Sequence, residues 1–328
     1  MLTTFIATLN PMLMLFLCMA AGYAVCRAGI MPKDSASVLS KLETYVFCPA
    51  LSFATMSRYC TLESLGTHGI NVLIAIVAIS LAIGIAIPLS GLFVKGGAVR
   101  GVYKYALAFG NFGYLGDPIV QALFGDAMLS YYKMFTLPLS VLVYSWGIAV
   151  LVPKGEGRGI LKQIFNFPLI ALLLGIVFGI TGLGNHIPVF VSDTLDALKS
   201  CMGPVAMLIA GFTVANYGII GMLKNKKVYI ATALRLFVLP AVLVAVVFGV
   251  KELIALISGT DIDNNVVFLT FFAFAAPLGL NTVVFPAAYG EDSSTGASMA
   301  MISHTLCVVS IPLLYALMTL IFGEVQPV

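Results

Sequence analysis

Two stretches of otherwise apolar sequence are interrupted by glycine, proline and asparagine, one in each half of the chain. The first interruption spans residues 110–118 and contains Asn111 and Asp117, and the second spans residues 276–282 and contains Asn281. These residue types break a membrane helix and leave backbone groups that hydrocarbon cannot satisfy, so such breaks persist only beside protein or a wet cavity. Paired interruptions in the two halves of a membrane chain indicate the substrate site of a transporter.

Broken helices offer two kinds of binding group. Each half-helix has free N–H groups at its amino end, which suit a carboxylate, and free carbonyls at its carboxyl end, which suit a cation. The amides of Asn111 and Asn281 both donate and accept hydrogen bonds, and we predict that they contact substrate together with the nearby Gly113 and Thr282. The alternatives are helix capping and hydrogen bonding between spans. The residues predicted to shape the crossover are Gly110, Pro118, Pro277 and Gly279.

Asp117 and His304 are the candidates for ion or proton coupling. A carboxylate inside a membrane span is costly, which makes Asp117 a candidate proton carrier or cation ligand. Aspartate followed by proline is also a favoured way to begin a helix, and the sequence leaves both interpretations open. An ionised Asp117 would repel an anionic substrate unless a cation or a proton came with it. Histidine ordinarily titrates near physiological pH, so His304 is either a proton relay or a hydrogen-bonded structural histidine.

The composition is that of an all-α polytopic membrane protein. Apolar residues make up 60% of the chain and charged residues 9%, against roughly half and a quarter in soluble domains. Periodicity predicts ten spans, each long enough for a hydrocarbon core of about 30 Å. They are residues 5–26, 40–58, 70–94, 102–124, 128–151, 166–183, 195–217, 227–250, 264–289 and 296–322. The first span lacks the features of a cleaved signal peptide, so we expect the mature protein to keep it.

The basic residues predict the orientation. With the amino terminus outside, thirteen of the seventeen lysine and arginine residues fall in inner loops, so the positive-inside bias places both termini outside the cytoplasm. Arg235 is predicted to anchor the eighth span at the cytoplasmic interface. We expect an integral membrane protein whose partners include the lipid bilayer and exclude nucleic acid. The basic residues assigned to the outer side are Arg58, Lys133, Lys199 and Lys251.

The two halves of the chain share a layout. Pro11 opens the first predicted span and Pro168 the sixth, and Pro49 and Pro204 follow at similar distances. We predict a first five-helix repeat over residues 1–151, a short cytoplasmic linker over 152–165 and a second five-helix repeat over 166–328. Because five is an odd number of spans, the second repeat enters the membrane from the opposite side, and the two repeats are inverted.

Five groups of residues occur along the chain in an order that is typical of one transporter family. They are Pro49-Ala50-Leu51-Ser52-Phe53; Asn111 to Gly116 with Pro118; Met202-Gly203-Pro204-Val205-Ala206-Met207 with Gly211; Ala233-Leu234-Arg235 with Pro240-Ala241; and Pro277 and Gly279 with Phe285 and Tyr289. In their order and spacing the chain resembles the auxin efflux carrier family, which includes plant carriers and bacterial permeases. The resemblance covers nearly the whole length.

The resemblance implies a ten-span, inverted-repeat fold similar to that of sodium/proton antiporters and bile-acid symporters. A scaffold of spans one, two, six and seven would support a transport domain that holds the broken fourth and ninth spans and moves as an elevator. Family members carry organic anions. Carried over by position, Asn111 is the first candidate for a substrate ligand, and Ser52 and Asn281 are lesser candidates. A homodimer formed through the scaffold is a further family expectation.

The sequence also departs from the plant carriers. Gly110 stands where they have a crossover proline, and Asp117 stands where an aliphatic residue is usual. The third span has no ionisable residue for their support site, and about fifteen residues replace their large cytoplasmic loop. These differences favour a compact bacterial-type permease, for which the resemblance implies a place in the bacterial inner membrane. They also argue against a simple anion uniporter.

The leading hypothesis is a secondary transporter for a small organic acid that needs no cofactor beyond a coupling proton or sodium ion, if it needs either. One alternative is a cation/proton antiporter, although Asp117 is the only acidic residue that the sequence places deep in a span. Another is a membrane receptor or sensor. The sequence contains no nucleophile-elbow serine, zinc-protease helix or nucleotide-binding loop, so an enzyme or an ATP-driven pump is not expected. The six cysteines lack metal-ligand spacing and are interpreted as small apolar residues.

Overall fold

The fold is given by a computed structural model, which describes residues 2–32, 34–152, 166–217, 219–259 and 262–325. Within these ranges the chain is almost entirely helical. The linker predicted over residues 152–165 lies outside the described residues, apart from Val152.

Helices follow one another along the chain with short connections. They are α1 (Leu2–Arg27), α2 (Ser35–Leu42), α3 (Cys48–Tyr59), α4 (Leu62–Phe93), α5 (Gly97–Ala108), α6 (Asp117–Leu142), α7 (Ile148–Leu151), α8 (Phe167–Ile180), α9 (Val189–Tyr217), α10 (Ile219–Leu223), α11 (Lys226–Ala233), α12 (Leu239–Ser258), α13 (Asn265–Ala275), α14 (Asn281–Ala288) and α15 (Ser294–Phe322). Single π-helical turns lead directly into α3, α6, α7 and α12. These turns are Glu43–Phe47, Phe112–Gly116, Val143–Gly147 and Leu234–Val238.

Several of these helical stretches are long and apolar enough to cross a membrane. In the described part of the chain they are His68–Phe93, Ala127–Leu151, Val189–Asn216, Lys226–Ser258 and Ser294–Phe322. Shorter apolar helices lie at Leu13–Arg27, Phe167–Ile180 and Asn265–Ala275. The chain is therefore an all-α polytopic membrane protein, as its composition predicts, and the count of ten spans stays a prediction.

Both predicted interruptions are present, and they meet. The first separates α5 from the π-helical turn before α6, and the second separates α13 from α14. Gly110 and Leu278 form an isolated antiparallel β-bridge between the two interruptions. The backbone N–H of Asn111 donates to the carbonyl of Pro277 at 2.7 Å. Each interruption thus supplies a hydrogen-bond partner that the other would lack in hydrocarbon.

Gly125 makes a turn within the long helical stretch of α6. Its backbone has φ 80° and ψ −174°, a conformation that glycine adopts readily because it has no Cβ. The turn separates the half-helix that follows the first interruption from the apolar stretch Ala127–Leu151. It therefore lets two parts of α6 that are distant in sequence lie near each other.

Glycines bring two pairs of helices into backbone contact. A Cβ on Gly22 of α1 would overlap the carbonyl of Leu208 on α9, and one on Gly211 of α9 would overlap the carbonyl of Met19. Helix α8 approaches α3 in the same way, since a Cβ on Gly175 would crowd the backbone of α3. Small residues at helix contacts are the usual means of close packing in membranes.

Candidate functional site

Asp117 is held by an ion pair and is not a helix cap. The π-helical turn Phe112–Gly116 continues into α6, and the backbone of Asp117 is itself helical at φ −56° and ψ −54°. The capping interpretation of Asp117 is therefore wrong, because the helix has already begun five residues earlier. The carboxylate accepts a hydrogen bond from the Lys133 ammonium, which lies beyond the Gly125 turn on the same helix. Both side chains are largely buried.

Asn111 and His304 are brought together from opposite halves of the chain. Asn111 directly precedes the π-helical turn, but its side chain makes no capping hydrogen bond. Its amide nitrogen Nδ2 lies 3.2 Å from His304 Nε2. The other ring nitrogen, Nδ1, lies 2.8 Å from the carbonyl of Ala300. Both side chains are buried. Asn111 thus makes a hydrogen bond between helices and does not cap the π-helical turn, and its contact with substrate stays a prediction.

Asn281 contacts a tyrosine from the first half of the chain. Helix α14 begins at Asn281, yet the side chain does not cap it. Its Nδ2 donates to the hydroxyl of Tyr105 on α5 at 2.8 Å. The neighbouring Thr282 hydroxyl donates to the carbonyl of Gly279 at 3.0 Å and is fully buried. Thr282 therefore stabilises the turn at the second interruption.

A cavity lies where the two interruptions meet. Its lining includes Ser52 of α3 and Gly113 of the π-helical turn. It also includes the side chains described above, which are Tyr105, Asn111, Lys133 and Asn281. The shaping residues Gly110 and Gly279 line it as well, while the side chain of Pro118 lies outside the described part of the structure. The cavity has about 50 Å³, which is room for a few water molecules.

A wider cavity of about 320 Å³ adjoins the first one. Asp117 and Lys133 line both cavities, so the ion pair lies between them. Arg58 and Lys199 line the wider cavity, and each lies 3.0 Å from a carboxylate oxygen of Asp196. Three cations thus face two carboxylates along this path, which leaves a net charge of about +1 to attract an anion.

The amino ends of two helical segments lie at the inner cavity. The π-helical turn before α6 begins at Phe112, and α14 begins at Asn281, and both residues line the cavity. Helix amino ends carry a partial positive charge and bind anions without any charged side chain. The inner cavity is therefore suited electrostatically to a carboxylate or a similar anion.

Arg235 lies at the carboxyl ends of the two helices that precede the interruptions. It is buried rather than interfacial, with 2% of its surface exposed, so the predicted role as a cytoplasmic anchor is wrong. Its Nη1 donates to the carbonyl of Leu107 at 3.5 Å, in the last turn of α5. A Cβ on Gly110 would meet Arg235 Nη2 and the carbonyls of Ala273 and Ala276. The guanidinium thus lies beside the carboxyl ends of α5 and α13, where a positive charge is stabilising.

Glu43 is a second buried carboxylic acid that the sequence reasoning missed. It lies in the π-helical turn before α3 and is fully buried. Neither of its carboxyl oxygens has a hydrogen-bond partner within the residues that the structure describes. Asp117 is therefore not the only buried carboxylic acid in the described part of the chain. Glu43 does not line the cavity at the two interruptions.

Comparison with known proteins finds transporters. Two segments of the chain, residues 7–160 and 158–315, match the family described as membrane transport protein. An uncharacterized transporter of Methanocaldococcus jannaschii is 24% identical over 316 residues, which cover 93% of this chain and 97% of that protein. An uncharacterized transporter of Methanothermobacter thermautotrophicus is 26% identical over 220 residues, which cover 64% of this chain and 68% of that protein.

Proposed function

Because the chain belongs to the membrane transport protein family, we propose that it is a secondary transporter for a small organic acid anion, which binds in the cavity at the two interruptions. The observation that carries this proposal is that two helix amino ends, two amides and the Lys133 ammonium surround one buried cavity. Each of these groups except the ammonium is neutral, and each can donate a hydrogen bond to a carboxylate.

The proposed ligand set follows from the lining of the cavity. Asn111 and Asn281 contact the carboxylate, Ser52 approaches it from α3, and Gly113 leaves the backbone accessible. Thr282 acts indirectly, because its hydroxyl is bound to the turn at the second interruption. The small inner cavity accepts one carboxylate group, and the wider cavity accommodates the remainder of the acid.

Transport is proposed to occur by an elevator movement within two inverted five-helix repeats. In this proposal α1, α2, α3, α8 and α9 form the scaffold, in which glycines allow close contact of α1 with α9 and of α3 with α8. The helices that meet at the interruptions would move across it as one body with the bound anion. The inner cavity includes Ser52 and Leu172 of this scaffold, so it lies at the boundary across which such a movement would occur.

The occupied site needs a compensating positive charge. Asp117 already accepts a hydrogen bond from Lys133, so an incoming carboxylate meets a neutral pair instead of a free ammonium. A proton or a sodium ion that enters with the anion would supply the missing charge. A proton would act through Asp117, which lines the cavity, or through His304, which contacts the cavity residue Asn111.

Cation/proton antiport is the second candidate. It is favoured because the part of the chain that the structure describes contains two largely buried carboxylic acids, Glu43 and Asp117. Two observations oppose it. The Lys133 ammonium is already paired with Asp117. The Arg235 guanidinium already lies at the carbonyl ends of the broken helices, where a soluble cation would bind. A sensor without transport is separated from both candidates by flux measurements.

The test is a comparison of Asn111→Ala with the wild-type protein. Thermal unfolding of the purified protein is measured with acetate, malonate and succinate, with sodium, and over several pH values. A ligand that binds only the folded state stabilises it by about 2.7 kcal/mol at one hundred times its Kd. We expect a carboxylate to raise the melting temperature of the wild-type protein, and we expect Asn111→Ala to bind it at least about tenfold more weakly.

Asn71→Ala is the matched control, since Asn71 is equally buried but lies on α4 and does not line either cavity. The stabilising carboxylate is then tested for uptake into proteoliposomes. Stabilisation by carboxylates with unchanged affinity in Asn111→Ala would remove Asn111 from the site. Stabilisation by sodium or pH alone would favour ion exchange, and binding without flux would favour a sensor.

A further inference from the structure

We propose that His304 sets which end of the Asn111 amide faces the cavity, and that a carboxylate binds there only together with a proton on His304. The inference rests on the proposed function and names its coupling ion. His304 is in this view a positioning residue, because it acts on the substrate through Asn111.

The orientation of the two side chains follows from what each partner atom is able to do. The carbonyl of Ala300 only accepts hydrogen bonds, and it lies 2.8 Å from His304 Nδ1, so the ring proton is on Nδ1. In a neutral imidazole the other nitrogen, Nε2, is then an acceptor. The atom of Asn111 that lies 3.2 Å from Nε2 is accordingly the amide nitrogen, which donates. The neighbours thus fix an amide orientation that is otherwise ambiguous.

In this orientation the Asn111 amide presents a hydrogen-bond acceptor, and no donor from its oxygen end, to the ligand. The Asn111 amide oxygen Oδ1 is buried and has no hydrogen-bond partner among the described residues, while Asn111 lines the cavity. A carboxylate also has only acceptor atoms when it is ionised. In the empty state the unpartnered amide oxygen of Asn111 therefore opposes the proposed substrate, although the helix amino ends around the cavity favour an anion.

Protonation of His304 reverses this polarity. One proton from solvent forms an N–H bond at Nε2, which then donates to Asn111 Oδ1 as the amide turns. The Asn111 nitrogen then takes the place of the oxygen at the cavity, where its N–H groups donate to the carboxylate. No other bond forms or breaks, and the added proton balances one negative charge of the anion. Because His304 is 1% exposed, charging it without the anion is costly, so the proton and the anion bind together.

The other ionisable groups around the crossing behave differently. Tyr105 holds Asn281 by a hydroxyl, which both donates and accepts, so that amide is able to turn without a proton. Asp117 is paired with Lys133, and Arg235 lies at the carboxyl ends of the broken helices. On the helix of His304 itself, Cys307 Sγ donates to the His304 carbonyl and leaves the ring unchanged.

The first test reads the ring directly. The chain has three histidines, so ¹⁵N spectra of histidine-labelled full-length protein are assigned with His68→Gln and His186→Gln. Without ligand near neutral pH, we expect His304 to carry its proton on Nδ1 and to have a bare Nε2. A proton on Nε2 in the neutral ring would overturn the inference, because Asn111 would then accept from it without any protonation step.

The second test measures the proton that accompanies binding. Affinities for acetate and malonate are determined between about pH 6.5 and 8.5, where simple carboxylates are ionised. If one proton is taken up on binding, the affinity of the wild-type protein falls about tenfold for each unit by which the pH rises. His304→Gln presents an amide that donates or accepts as needed, so we expect affinity that no longer depends on pH. The Asp117→Asn and Glu43→Gln variants are expected to keep the wild-type slope.

The outcomes separate the inference from the proposed function. Carboxylate binding with no pH dependence in the wild-type protein overturns the inference, and so does a slope that persists in His304→Gln. A slope that disappears in Asp117→Asn assigns the proton to Asp117 and also overturns it. Failure of every carboxylate to bind counts against the proposed function, and in that case the ¹⁵N spectrum still decides the orientation of Asn111.

Discussion

Replacing Lys133 by methionine is expected to abolish transport and to lower the free energy of unfolding by about 3 kcal/mol. Methionine keeps most of the length of the side chain but removes the ammonium that holds Asp117. The Asp117 carboxylate would then remain largely buried with no charged partner, which is the costly result of breaking a buried ion pair. We place the cost at the lower end of the usual range because both side chains keep some contact with solvent.

The double variant Lys133→Met/Asp117→Asn separates stability from function. Neutralising both partners removes the unpaired charge, so we expect it to recover most of the lost stability, measured by thermal unfolding, but not carboxylate uptake. Lys199→Met is the control, since Lys199 pairs with Asp196 at a more exposed position on the same path and should cost less than about 1 kcal/mol. Normal uptake by the double variant would show that the Lys133 charge is not needed for transport.

The sequence predicted the interruptions correctly because the chemistry that breaks a helix is local. Glycine, proline and asparagine disrupt helices wherever they cluster, and hydrocarbon leaves few ways to satisfy the exposed backbone. The second break, residues 276–280, lies within its predicted stretch. The first break, residues 109–111, overlaps only the start of the stretch predicted over 110–118, whose remaining residues are helical. Contact between the two breaks through Gly110 and Leu278 joins the two halves. Asn111 and His304 were each singled out, but their contact, across 193 residues, follows from no sequence spacing.

The charged residues were harder to place because their burial depends on packing between distant segments. Lys133 lies sixteen residues after Asp117, which is no helical repeat, and only the turn at Gly125 brings the two together. Arg235 was assigned to the interface because long basic side chains near span ends usually reach water. Here the carbonyl ends of two interrupted helices provide the alternative partner, and no local pattern around Arg235 indicates them.

At Asp117 the sequence left helix capping and a functional buried charge both open, and the structure excludes the cap because the helix begins earlier. An aspartate followed by proline commonly begins a helix, but the π-helical turn from Phe112 to Gly116 had already begun it. The cap became unnecessary, and the carboxylate was free to pair with Lys133. Turns of this type often occur at functional sites, so the failure of the capping rule itself marks the site.

The amino ends and the carboxyl ends of the interrupted helices have different charged neighbours. The helix amino ends and the Lys133 ammonium face the cavity, while the carboxyl ends of α5 and α13 lie beside Arg235. A guanidinium that belongs to the chain would stabilise the carbonyl ends in every state of the transport cycle, whether or not a soluble cation is present. A substitution that reduces the space around the Arg235 guanidinium is therefore expected to destabilise the contact between the two interruptions.

Gly110→Ala tests this space and is expected to lower the free energy of unfolding by about 1–3 kcal/mol, the usual cost of overpacking, and to reduce carboxylate uptake. Its added Cβ would overlap Arg235 Nη2 and lie 2.9 Å from the carbonyl of Ala276. Gly113→Ala is the matched control within the same interruption, because a Cβ there meets no atom within 4 Å. Thermal unfolding of both variants gives the comparison.

The source of the Gly110 effect is identified by a double-mutant cycle with Arg235→Lys. A lysine keeps the charge but is narrower at its end, so it should yield space to the added methyl group. We therefore expect Gly110→Ala to cost less in the Arg235→Lys background than in the wild-type protein, since residues in contact are not additive. Equal costs in the two backgrounds would assign the effect to the carbonyls of Ala273 and Ala276 alone. Equal costs at Gly110 and Gly113 would mean that the space beside Arg235 places no constraint on the crossing.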